Sequence, residues 1–160
     1  MRGRAGECLI VPGTFIRPRG QRVKGRNVTL EFLNPPHWPK PRGYSNAIVA
    51  RGDLVFIAGQ CGWTPDGKFS AKDTAGQLRQ TLINIRDALA PAGATLTDIV
   101  RLTWFVTDKA EYLATIKEVG AAYREVMGKH FPVMAVIEVK ALVESEAKVE
   151  IEATAVIPRA

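Results

Sequence analysis

Apolar positions along the chain change period several times, and each change predicts an element. The stretch VTLEFL, from Val28 to Leu33, reads as a first strand. In YSNAIVARGDLVFIAGQ two apolar runs flank Arg51-Gly52-Asp53, a turn-forming stretch, which predicts a β-hairpin. Between residues 73 and 91, Leu78, Leu82, Ile85 and Leu89 recur at helical spacing. Asp73 suits the N-cap of that helix, and Gly93 stands just past its end. DIVRLTWFVT, rich in β-branched and aromatic residues, predicts another strand. Asp108 and Glu111 have capping-box spacing and open a second helix, with a stripe of Tyr112, Ile116, Val119, Tyr123 and Val126 and with Gly128 near its end. Two strands close the chain, 133–140 and 148–156. In the first, Val133, Ala135, Ile137 and Val139 face one way, and Met134, Val136 and Glu138 the other.

The order is β-β-β-α-β-α-β-β. It predicts an α+β fold in which two helices lie on one side of a mixed sheet. NPPHWPKPRG carries four prolines in ten residues and suits neither a helix nor a central strand. Residues 1–27 have scattered Gly, Pro and Arg without periodicity and read as an extension ahead of a domain spanning 28–160. No internal repeat is visible.

Charge sharpens that division. The formal net charge is +6, but residues 1–43 hold nine Lys/Arg against two Glu, and residues 44–160 hold thirteen Lys/Arg against fourteen Asp/Glu. The basic character belongs to the N-terminal arm, which argues against a nucleic-acid-binding face on the body. No apolar run approaches the roughly 20 residues of a membrane span. The run Cys8-Leu9-Ile10-Val11 is short for the apolar centre of a signal peptide, so the sequence predicts a cytoplasmic protein. Cys8 and Cys61 are too few for a disulfide framework. With His37 and His130 they lack metal-ligand spacing, so no metal site is expected.

Four stretches together resemble the YjgF/RidA family, the reactive-intermediate deaminases that also carry endoribonuclease and translation-inhibitor labels. They are GYSNAIVARGDLVFIAGQ (43–60), QLRQTLINIRDALAPAGATLTDIVRLTWFVTD (77–108), FPVMAVIEV (131–139) and VEIEATAV (149–156). The resemblance runs from about residue 28 to the end. It implies a chorismate-mutase-like fold, a homotrimer with small-metabolite clefts at the subunit interfaces, and cofactor-free hydrolysis of enamines and imines of 2-oxo acids such as 2-aminoacrylate. That chemistry needs a carboxylate clamp, a proton donor and a positioned water.

The resemblance places Tyr44, Ala58, Gly59, Gly120, Met134 and Val136 around the ligand and gives Glu150 the acid/base role. Three of these depart from the family pattern. The carboxylate-gripping arginine, two residues after a proline, is Met134 here; the usual Ser before Gly59-Gln60 is Ala58; and the helix Asn of many deaminases is Gly120. Val143 stands where a proline is usual. Taken alone, Tyr44 reads as a strand aromatic, Gly59 as a bulge, and Glu150 as part of a solvated face shared with Lys148 and Glu152. Cys61 reads as packing, since no histidine is its evident base.

These residues predict a small-metabolite-binding protein whose imine hydrolysis is weak and not specialised for 2-aminoacrylate. The alternative is a trimeric binding or protein-stabilising module without catalysis. RNA cleavage fits least, because the body is near neutral and lacks a His-His or His-Lys pair. If the protein does turn over such imines, Arg101 or Arg124 of a neighbouring subunit would be the substitute clamp.

Overall fold

The computed structural model describes residues 30–157; the whole predicted N-terminal extension, 1–27, and the start of the predicted first strand lie outside them. Two strands, β1 (Glu31–Leu33) and β2 (Ala47–Val49), pair antiparallel in a small ribbon. The main sheet has β3 (Asp53–Cys61), β4 (Ile99–Val106), β5 (Val133–Glu138) and β6 (Val149–Ile157) in the order β3-β6-β4-β5. β6 runs antiparallel to both neighbours, and β4 and β5 are parallel, so the sheet is mixed. The helices are α1 (Thr74–Leu89), α2 (Lys109–Ala114) and α3 (Ile116–Met127).

The apolar stripe of α1 buries Leu78, Leu82, Ile85 and Leu89, each no more than 1% exposed, against Leu102, Trp104, Val149, Ile151 and Ala155 of the sheet. Asp73 caps the helix by accepting from the Gly76 amide at 2.8 Å, and Gly93 takes a left-handed φ of 67° after the short 3₁₀ turn that follows α1. The sheet's other face has no covering layer among the described residues. There Leu54, Phe56 and Ile137 are 60%, 74% and 44% exposed.

Two expectations need correction. The runs flanking Arg51-Gly52-Asp53 do not pair as a hairpin: β2 joins β1, and β3 joins β6. Gly52 serves instead as a close-approach residue, since any Cβ there would collide with the Ile157 backbone. Across the proline-rich link, Asn34 Oδ1 accepts from the Asn46 amide at 3.1 Å and from its side chain at 2.9 Å, which closes the β1–β2 connection. The second helix is two helices. Asp108 caps α2 by accepting from the Glu111 amide at 2.8 Å, but the Glu111 carboxylate does not return to complete a capping box. It binds Thr74 and Lys148 instead. The break falls at Thr115, whose ψ of 22° leaves the helical region while its hydroxyl bonds back to the Glu111 carbonyl.

Candidate functional site

The alternation of β5 decides where the site lies. Met134 pairs with Leu102 and Val136 with Trp104, so both face the helix layer. Near the edge of the sheet, between β5 and α3, they help wall a cavity of about 390 Å³. That size is ordinary for a small-molecule site.

Helix residues Tyr112, Ile116, Val119 and Tyr123 supply the opposite wall. They belong to the stripe that the sequence predicts for one continuous helix. Val119 and Tyr123 are also buried in the main core, 3% and 5% exposed, with Tyr112 packed against it, so this wall is continuous with the core. Tyr123 stacks on Phe131 with ring centres 5.7 Å apart and planes 11° apart, and its other neighbour is Trp104 at 6.0 Å. The Tyr123 hydroxyl donates to the His130 carbonyl at 2.7 Å, and burial pushes its pKa well above the usual tyrosine range. Trp104 Nε1 is the one buried side-chain polar atom without a partner among the described residues.

The third wall comes from the segment Arg42-Gly43-Tyr44. Gly43 adopts φ 82°, a turn that an L side chain resists. Ser45 then fastens the segment to β5. Its amide donates to the Pro132 carbonyl at 3.1 Å, and its hydroxyl to the Phe131 carbonyl at 2.7 Å. Tyr44 is thereby held at the mouth, 43% exposed.

Charge enters through two arginines, Arg42 and Arg124. Arg124 is one helical turn after Gly120, and a Cβ on Gly120 would stand 3.2 Å from Arg124 Nη1. The bare glycine therefore leaves room for the guanidinium over the helix face. No ion pair or hydrogen bond holds the Arg124 guanidinium among the described residues. No carboxylate and no histidine lines the cavity among those residues.

Of the sequence-predicted site residues, Tyr44, Gly120, Met134 and Val136 meet in this cavity, and Ala58, Gly59 and Glu150 do not. Glu150 pairs with Phe105 and Cys61. It alternates with the buried Val149 and Ile151, on the face of the sheet opposite the helices. Gly59 is its seat: any Cβ at position 59 would collide with the Glu150 carboxylate. Cys61 donates to Glu150 Oε2 at 3.7 Å. Burial first, and then the Glu150 charge, push the Cys61 thiol up to about 12, so it stays protonated and unreactive at neutral pH. Arg101 pairs with Thr154 and is exposed on the sheet, away from the cavity. Arg124 lines its own chain's cavity and needs no neighbouring subunit to reach it. Arg42 was not read from the sequence as a site residue. Its signal was the Arg-Gly-Tyr run leading to Tyr44, with a glycine free to turn.

A sequence model of the family described as Endoribonuclease L-PSP matches residues 37–157. The chain belongs to this family, the YjgF/RidA family. A RutC family protein of Pyrococcus horikoshii is 39% identical over 127 residues, which are 78% of this chain and 96% of the relative. The 2-iminobutanoate/2-iminopropanoate deaminase of Salmonella typhimurium is 34% identical over 108 residues, 68% of this chain and 83% of the enzyme. A solved structure of a Rid family protein from Yersinia pestis aligns with a TM-score of 0.68 at 33% identity, covering 80% of this chain and 98% of its own. The observed α+β architecture, a mixed sheet with its helices on one side, is that of this family. No helix among the described residues is long and apolar enough to cross a membrane.

Proposed function

We propose that this YjgF/RidA protein binds a small organic anion in the cavity between α3 and β5, and that it hydrolyses 2-aminoacrylate and 2-iminopropanoate only weakly. The observation that carries the reading is the exchange of charges in the wall. Met134 occupies the position from which the family's arginine grips a carboxylate, while Arg124 stands beside Gly120 on the facing helix. An ionised carboxylate entering a partly dry cleft needs a charged or multiply hydrogen-bonded partner. Arg124 and Arg42 can provide one, from a different side of the cavity. A carboxylate held from that side would not present its imine carbon to the same chemical groups.

Hydrolysis also needs a proton donor or a base, and the cavity of one chain has neither a carboxylate nor a histidine. Glu150 is on the same uncovered sheet face as exposed Leu54, Phe56 and Ile137, at the end of β3 away from Leu54. A homotrimer that packs these faces together would bury them and bring Glu150 toward a neighbouring chain. Among the described residues the cavity wall offers tyrosine hydroxyls but no carboxylate or histidine, which supports the second reading, a binding module without catalysis. RNA cleavage has little support in a cavity of this size and lining. The strand pattern from Val28 onward and the aperiodic basic stretch before it support a domain of residues 28–160 preceded by a basic extension. The lack of a long apolar run supports a cytoplasmic protein, and the family resemblance implies that it works without a cofactor.

The test is 2-iminopropanoate hydrolysis, measured beside an arginine-bearing deaminase of the family. Loss of the clamp's charge-assisted bonds, about 1.5–3 kcal/mol, predicts a kcat/KM roughly 10- to 150-fold lower for this protein. Equal turnover would overturn the reading.

A further inference from the structure

We infer that the cavity selects anions with a flat aromatic body, aryl carboxylates, over short aliphatic 2-oxo and 2-imino acids. The inference rests on the organic-anion reading above and names the class of ligand.

Three observations lead to it. The first is the lining. Tyr44, Tyr112 and Phe131 come from three separate elements and are each partly exposed at the cavity. Aromatic rings favour stacked or edge-on contact with another ring, beyond the gain from burying area. The second is Met134, whose polarizable thioether makes favourable contacts with ring edges and adapts to irregular shapes. The third is size. About 390 Å³ would hold on the order of a dozen waters at their liquid volume. A three- or four-carbon acid would leave much of that space wet and the aromatic walls uncovered, whereas an aryl ring would displace the water from them.

The polar groups fit the same ligand. The cationic groups of the lining are Arg42 and Arg124, so a carboxylate can pair with either guanidinium while the ring rests on the aromatic side chains beside it.

The experiment is calorimetric titration of the full chain with benzoate, benzamide and 2-oxobutanoate, repeated on Tyr112→Leu. Burying a ring's extra apolar surface should make benzoate bind roughly ten-fold or more tighter than 2-oxobutanoate. Tyr112→Leu should weaken benzoate several-fold and leave 2-oxobutanoate nearly unchanged. If benzoate and 2-oxobutanoate bind equally well, the aromatic preference is overturned and the organic-anion reading stands. If benzamide binds as tightly as benzoate, the anion reading fails while the aromatic preference survives. Benzoate binding that Tyr112→Leu does not weaken would place the ligand elsewhere and overturn the inference. No binding of any probe at millimolar concentration would overturn both.

Discussion

Arg124 and Gly120 share one face of α3, one turn apart, and the guanidinium occupies space that a side chain at 120 would contest: a Cβ there would stand 3.2 Å from Nη1. Gly120→Ala therefore opposes two effects. Alanine in a helix interior stabilises by about 0.5–1 kcal/mol over glycine, and the guanidinium is flexible enough to move aside. Melting temperature should rise by about 2–3 °C. Affinity for a carboxylate probe should fall several-fold as Arg124 is displaced. Thermal melting and a benzoate titration on the same sample check both halves.

Met134→Arg restores the residue type that grips the carboxylate in the family, yet it should recover little 2-iminopropanoate hydrolysis. The new guanidinium would enter a cavity that already holds Arg42 and Arg124, with no carboxylate in its wall. Like charges in a confined site disfavour one another. The imine hydrolysis assay should find kcat/KM within about ten-fold of the wild type. Recovery to the level of a family deaminase would mean that the wall position alone limits the chemistry.

The strand and helix periods were legible because burial in the sheet and in α1 follows simple alternation. The pairings were less so. Two apolar runs around Arg51-Gly52-Asp53 look like a hairpin locally, but β6 offers β3 a long antiparallel partner from Asp53 to Cys61, and β2 turns to β1 instead. Sequence shows a turn residue at Gly52 and cannot show that the Ile157 backbone will press against it. The cavity was legible only in part of its lining. Met134 and Val136 line one cavity with Tyr44 and Gly120, and for the first two strand alternation is enough to place them there. Arg124 falls off the apolar stripe, and its access to the cavity depends on the break at Thr115 and the missing side chain at Gly120. Both are details of local geometry.

His130 should give the fold an acid-sensitive window. Its ring Nε2 donates to the Ile99 carbonyl at 2.6 Å, Phe32 meets it edge-on at 6.0 Å, and the carboxylate of Asp98 lies near. Burial is the largest influence and lowers its pKa, against smaller raising effects from Ile99 and Asp98. The neutral ring is thus favoured in the folded state. The unfolded chain takes up a proton near pH 6.5 while the folded one still resists. Stability should be full above about pH 6.5 and fall as pH drops through the folded pKa. His130→Gln should flatten this part of a melting-temperature profile. Glu111, whose carboxyl is held below the usual range first by the Lys148 ammonium and then by the Thr74 hydroxyl, adds a separate loss at lower pH, once that carboxylate is protonated.

The uncovered sheet face predicts association. Exposed Leu54, Phe56 and Ile137 form part of an apolar surface that a second layer would bury. Light scattering should give about three times the 17.5 kDa chain mass. Phe56→Glu should shift the mass toward that of one chain. A wild type that stays a single chain at micromolar concentration would remove the basis for a shared cleft.

Arg124 is the proposed anion anchor, and the most direct test of that role is the affinity of wild type and Arg124→Gln for benzoate at low salt. Loss of charge-assisted bonds worth about 1.5–3 kcal/mol predicts a roughly 10- to 150-fold weaker dissociation constant for the variant, at an unchanged melting temperature in the absence of ligand. Equal affinity in the two proteins would contradict it.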